Sequence, residues 1–249
     1  MEKQLSSIQR QIQEKLPVDL PLPGTIPPIE QLNALFEPLS YLERLHLLYA
    51  YFEEGEVLVT SSFGTRSVLL LWALSQMQPR QRVHFIDTGY HFPETLQYLQ
   101  QLRESLNLRL VEVHPDAAAH DRTNDEQWWL QHPDACCAIN KVEPLEAIKG
   151  RYKVWISGLM QDQTQFRAGL QVFEQQGDLL KFHPMLNLDE GMFRYETGRL
   201  KLPMHPLEAL GYGSVGCSHC TKQGAGRSGR WQGQEKTECG LHPGYFDKK

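Results

Sequence analysis

The chain has 249 residues, is 41% hydrophobic and carries a formal net charge of -5. That is enough apolar material to bury a substantial core, and the negative balance argues against a nucleic-acid binder that relies on a general positive field. No stretch reaches about 18 consecutive apolar residues and the amino terminus has no apolar signal region, so a soluble, cytoplasmic protein with no membrane partner is expected.

Leu5, Ile8, Ile12 and Leu16 recur at helical spacing, which predicts a short amphipathic helix. It would pack on the body or on a second subunit, which leaves a homo-oligomer open. Pro17, Pro21, Pro23, Pro27 and Pro28 then predict an extended linker, so 1–39 is read as helix plus linker. Ser40 and Glu43 form a capping-box pattern ahead of Leu42, Leu45, Leu48 and Phe52, with Gly55 as terminator.

Strands are predicted at 56–60, 82–87, 107–113 and 154–157, and helices at 67–77 and from Pro93. Strands alternating with helices indicate an α/β fold. Its sheet is mainly parallel and covered on both faces, with the ligand site at the carboxyl ends of the strands. The main domain is placed at 40–221, and 222–249 is read as a glycine-rich loop and catalytic tail.

Two loops end strands where a ligand would bind. SSFGTRS at 61–67 presents hydroxyls and backbone N–H groups at a helix N-terminus, the place for an anion, but lacks the GxxxxGK[ST] pattern of a P-loop. IDTG at 86–89 would lie beside it. Each is, on its own terms, equally a capped turn or a strand-end turn.

The five cysteines carry the chemistry. Cys136 and Cys137 are adjacent in CCAINKVEPL, where Pro144 is expected to limit the helix, and Cys217 and Cys220 form a CxxC. Two pairs satisfy a [4Fe-4S] cluster or a tetrahedral zinc, and spacing does not choose between them. Cys239 stands apart in KTECGLH, accompanied by Arg227, Arg230, Lys236 and His242, and nearby cations favour the nucleophilic thiolate. Gly224, Gly226, Gly229 and Gly233 are read as giving that segment freedom to open and close.

SSFG, FIDTGYHFPETL, CCAINKVEPL, SGLMQDQTQFR, GYGSVGCSHCT, RSGRW and KTECGLH together resemble the assimilatory sulfonucleotide reductases, in the iron–sulfur branch acting on adenylyl sulfate. The resemblance covers about four fifths of the chain. It implies an adenine nucleotide α-hydrolase-like fold, a [4Fe-4S] cluster on Cys136, Cys137, Cys217 and Cys220, and Cys239 as nucleophile. It further implies reduction of adenylyl sulfate to sulfite and AMP through a cysteine thiosulfonate, with thioredoxin or glutaredoxin as electron donor. By similarity, Lys141, Arg227, Arg230 and His242 would hold the phosphosulfate. Ser61, Ser62, Phe63, Gly64 and Ser67, with Asp87, Thr88 and Gly89, would contact the nucleotide, and Arg167 is placed in the same site. Asn140, Met160 and Gln161 depart from the family by standing where basic residues are usual, which would remove cations from the site and favour a substrate without a 3′-phosphate. The alternatives are a reductase of 3′-phosphoadenylyl sulfate and an RNA-thiolation enzyme of related fold; the latter would want an SGGxDS loop and a basic surface.

Overall fold

A computed structural model describes Arg10, Glu14, residues 26–234, Lys236 and residues 238–241. Of the helix expected at the amino terminus only Arg10 and Glu14 are described, both helical; most of the proline-rich linker and His242 lie outside the described residues.

A six-stranded sheet has the order β3-β2-β1-β4-β6-β5. Its strands are β1 Val57–Thr60, β2 Arg82–Ile86, β3 Arg109–Val113, β4 Val154–Ile156, β5 Phe173–Gln176 and β6 Leu179–Phe182. All pairings are parallel except β5 with β6, an antiparallel edge hairpin. The four strands read from sequence form to within two residues of their expected limits. The hairpin has no counterpart in the sequence reading.

Helices α1 Ile29–Phe36, α2 Tyr41–Tyr51, α3 Val68–Met77, α4 Pro93–Ser105, α5 Ala117–Asp125, α6 Pro133–Cys137, α7 Glu143–Lys149 and α8 Glu190–Arg199 surround it. Ser40 caps α2 through the expected reciprocal bonds with Glu43. Gly55 does not terminate that helix: the chain leaves it at Phe52, which turns extended, and Gly55 falls in the next short turn.

The linker reading fails at its carboxyl end. Pro28 is the N-cap of α1, a role that needs no backbone donor. Leu32 and Phe36 are fully buried, and the Phe36 ring meets Phe173 and Phe182 edge-on at 4.8 and 5.7 Å. Part of the presumed linker is therefore core.

Alternation along the strands sorts the two faces. Val57, Val59, Val83, Phe85, Val154, Ile156 and Phe182 join the large cluster under α1–α4 and α8, while Leu58, Ile86, Trp155 and Leu179 pack with Leu145 of α7. Strands β1 and β4 are neighbours from which the chain runs outward in opposite directions. Such a switch point opens a crevice at the strands' carboxyl ends.

Candidate active site

A cavity of about 750 Å³ occupies that crevice, bordered by Thr60 to Ser62 after β1, Thr88 after β2 and Ser157 to Leu159 after β4. The 61–67 turn is shaped by Phe63, which takes a left-handed backbone (φ 50°) and drops its ring into the core against Phe85, 5.7 Å away. A non-glycine residue in that region is costly and needs such an anchor. Ser61 Oγ accepts from the Phe63 N–H at 3.1 Å and Ser67 Oγ donates to the Gly64 carbonyl at 2.7 Å. Ser61, Ser62, Gly64 and Ser67 thus face the cleft, as expected, while Phe63 is fully buried and shapes the turn without bordering the cavity.

The second turn divides. Thr88 borders the cleft, whereas Asp87 and Gly89 do not. Asp87 Oδ1 accepts the Gly89 N–H at 2.9 Å, and the turn's following residues hold the CxxC: Ser218 N–H donates to the Tyr90 carbonyl at 2.7 Å. Thr88 Oγ1 lies 3.5 Å from Cys217 Sγ. The turn therefore serves as a mount for the thiol pair.

Cys136, Cys137, Cys217 and Cys220 border one small cavity together with Tyr90, Trp129 and His219. The two adjacent cysteines are presented by α6, and the chain does not stop at Pro144. A π-helical turn, Ala138–Val142, leads directly into α7, with Pro144 in the first turn where its missing donor costs nothing. All five cysteines are free thiols. Burial, then the neighbouring thiolates of Cys137, Cys217 and Cys220, pushes Cys136 up to about 12. Burial and Cys217 push Cys220 up to about 11. Burial would raise Cys217 too, but Lys141 and Thr88 hydrogen-bond to it and bring it below the ordinary thiol value.

Four soft thiols crowded in this way would fit a cationic metal core, on which they would ionise and which would relieve the repulsion between the thiolates. Among the described residues no three cysteine, histidine or acidic side chains converge on a single point. The thiols instead stand around a shared space.

Asn140 belongs to this centre rather than to the substrate cleft. It is buried, and its side-chain amide donates to Thr123 Oγ1 at 3.0 Å and to the Cys136 carbonyl at 2.9 Å, with Cys136 Sγ at 3.7 Å. Met160 is in the core and Gln161 does not border the cavity. None of these three side chains borders the large cavity.

Cys239 borders the large cavity together with Lys141, Arg167, Arg227 and Arg230. These cations have different partners. Glu238, fully buried, takes Arg167 through two bonds of 2.8 Å and Arg227 through one of 3.2 Å. Burial, then Arg167, pushes Arg227 down to about 10 against the pull of Glu238. Lys236 does not border the cavity and donates to Asp134 at 2.7 Å and to the Pro133 carbonyl at 3.1 Å. Lys141 and Arg230 have no carboxylate partner among the described residues and face the cleft. Burial would lower Lys141, but the Cys217, Cys137 and Cys239 thiolates reverse this and hold it as an ammonium.

Arg167, expected to contact substrate, borders the cleft and also anchors the segment carrying Cys239 through Glu238. Glu238 was legible only as an acidic neighbour of the cysteine, since its partner is 71 residues away in sequence. Replacing Glu238 by Gln should release that segment. Breaking a buried pair by removing one charge costs about 3–5 kcal/mol, enough to lower the docking equilibrium constant more than about a hundredfold. Turnover should fall by up to a similar factor with nucleotide affinity retained, read by steady-state kinetics beside equilibrium nucleotide binding.

The loop before that segment is packed rather than loose. Side chains at Gly224 and Gly229 would strike backbone across the loop, and Lys222 N–H donates to the Gly229 carbonyl at 2.8 Å. The Trp231 N–H donates to the Cys220 carbonyl at 3.0 Å, and the Arg230 guanidinium lies 4.3 Å above the Trp231 ring, so RSGRW is docked on the CxxC.

The sheet order and the crevice at its switch point are those of the adenine nucleotide α-hydrolase-like fold. Yeast FAD synthetase shares this fold at TM-score 0.52 and 15% identity, over 87% of this chain and 74% of that one. A phosphoadenylyl-sulfate reductase from Candida auris shares it at TM-score 0.69 and 24% identity, over 80% and 100%. Residues 56–223 match the phosphoadenosine phosphosulfate reductase domain. Two relatives named adenosine 5′-phosphosulfate reductase, one from Bacillus cereus and one from Bacillus mycoides, are 36% and 35% identical over 207 residues, which is 79% of this chain and 88% of each relative. The chain belongs to the phosphoadenosine phosphosulfate reductase domain family, the sulfonucleotide reductases. No helix among the described residues is long and apolar enough to cross a membrane.

Proposed function

We propose that this protein reduces adenylyl sulfate to sulfite and AMP by a two-step thiol mechanism, with thioredoxin or glutaredoxin as donor. The observation that carries the reading is the shared cleft: a serine turn at a helix N-terminus, two cations without carboxylate partners among the described residues and the separate cysteine all border one cavity. The Cys239 thiolate attacks the sulfonate sulfur. A sulfur–sulfur bond forms, the bond from sulfur to the bridging phosphate oxygen breaks, and AMP leaves with the electron pair. Lys141 and Arg230 offset the charge developing on the leaving phosphate, and cations placed for developing charge usually contribute the largest share of rate. A dithiol donor then attacks Cys239 sulfur, sulfite leaves with the electron pair, and the donor's second thiol resolves the mixed disulfide. The two electrons come from the donor.

We assign a [4Fe-4S] cluster to Cys136, Cys137, Cys217 and Cys220, where the Lys141 ammonium would offset the net negative charge of the thiolate-held group. Anaerobic purification with iron and sulfide analysis tests this; stoichiometric zinc without iron would overturn it.

Adenylyl sulfate is favoured over its 3′-phosphorylated form. The Bacillus relatives carry that name, and the carboxylates Asp162, Glu190 and Glu208 also border the cleft. The two rim arginines are engaged: Arg66 bonds Glu190 and Glu208 at 2.7 and 2.9 Å, and Arg194 also bonds both. A second dianion there would lose water without gaining free donors. Catalytic efficiency should be at least about tenfold higher with adenylyl sulfate, equivalent to about 1.4 kcal/mol. Equal or greater efficiency with the 3′-phosphorylated nucleotide would contradict this.

A further inference from the structure

Lys181 lies in the middle of β6 and is fully buried. A lysine is rarely placed there, because taking an ammonium out of water is costly. Strand register explains where it points. Lys181 pairs with Trp155 across the parallel β4–β6 ladder, so both side chains project to the face covered by α7. The ammonium sits 4.2 Å from the Trp155 ring centroid and donates to the Leu241 carbonyl at 3.1 Å. Leu241 is two residues beyond Cys239, and both border the cleft with Trp155, whereas Lys181 does not.

We propose that Lys181 is a positioning residue for the nucleophile, holding the Cys239 segment through the Leu241 carbonyl with an ammonium that lies outside the cleft Cys239 borders. This rests on the reading of Cys239 as the nucleophile. Three contacts of different kinds then fix the segment: Lys236 on α6, Glu238 on Arg167 and Arg227, and the Leu241 carbonyl on Lys181. The first two orient the chain before the thiol, and the third fixes it after. Burial pushes Lys181 down to about 7, while the Cys239 thiolate and then Glu174 pull it upward, which places the lysine within electrostatic reach of the thiol.

The position outside the cleft separates this role from substrate binding. Met matches the lysine's length and fills the site without an ammonium. Lys181→Met should keep the iron content and nucleotide dissociation constant of the native enzyme, with a thermal midpoint unchanged or higher. Its rate of forming the Cys239 adduct, followed by intact mass under single turnover with adenylyl sulfate and no reductant, should fall about tenfold or more. Lys181→Gln carries the same test if the Met variant does not fold, since it also removes the charge. A folded variant labelling at the native rate would overturn the proposal. Failure of the native protein to label at Cys239 would instead overturn the nucleophile assignment on which it rests.

Discussion

A Cys239→Ser protein is expected to bind adenylyl sulfate, retain its thiol-bound centre and form no sulfite. Cys239 borders the large cleft and does not line the smaller space that the other four cysteines share, although Cys217 and Lys141 border both. The substitution exchanges one sulfur for oxygen and leaves Glu238, Lys236 and Leu241 to hold the segment as before. A serine hydroxyl is scarcely ionised near neutral pH, and a sulfate ester formed on it would have oxygen in place of the divalent sulfur at which a dithiol attacks to expel sulfite. Loss of a nucleophile of this kind costs about four orders of magnitude or more in turnover. Iron content and nucleotide affinity equal to the native protein, with sulfite below detection, are the expected readings. Appreciable sulfite from the serine variant would place the nucleophile elsewhere.

Cys217→Ser is expected to lose the centre itself. Cys217 is the thiol most closely surrounded by supporting groups: Thr88 and Lys141 hydrogen-bond to it, and its backbone pairs with His91. It is also the one paired thiol held below its ordinary value, the others being raised by burial. Removing it takes away a ready thiolate and leaves Lys141 without its nearest anion. Because ligands gathered by folding make metal binding part of folding energy, on the order of 10 kcal/mol for thiolate-held structural sites, the variant should also melt earlier. The brown chromophore and iron should be absent and turnover lost. A variant that kept stoichiometric iron and its absorption would show that Cys217 is not a ligand.

Local rules made much of this molecule legible. The Ser40–Glu43 capping box, Pro93 at a helix start and the apolar runs of β1, β2 and β4 each report on a few adjacent residues, and each formed as expected. The β5–β6 hairpin carried a readable signal, the Gly177-Asp178 pair between two short runs, but Glu174, Gln175 and Gln176 obscure alternation on an edge strand. Helix α1 was hidden by its prolines, which bar a helix interior but suit its start. In the site, the serine turn and the cysteine groups were visible because their chemistry lies in contiguous motifs. Glu238, Lys181 and Asn140 were not. Each acquires its role from a partner brought close by the sheet or by α6, and the residue type alone pointed elsewhere: an acid beside a nucleophile, a lysine in a strand, an amide where a cation was expected. The glycines of the last loop likewise read as freedom, while two of them are required by close backbone packing.

The chemistry proposed for this cleft requires a covalent intermediate at one thiol. Native protein, prepared anaerobically, should be incubated with adenylyl sulfate in the absence of any reductant and analysed by intact and peptide mass spectrometry. The expected result is the added mass of a single sulfonate on the peptide containing Cys239, released AMP in equal amount, and recovery of the label as sulfite when thioredoxin is added. A label on any other cysteine, or sulfite released on mixing without a prior adduct, would contradict it.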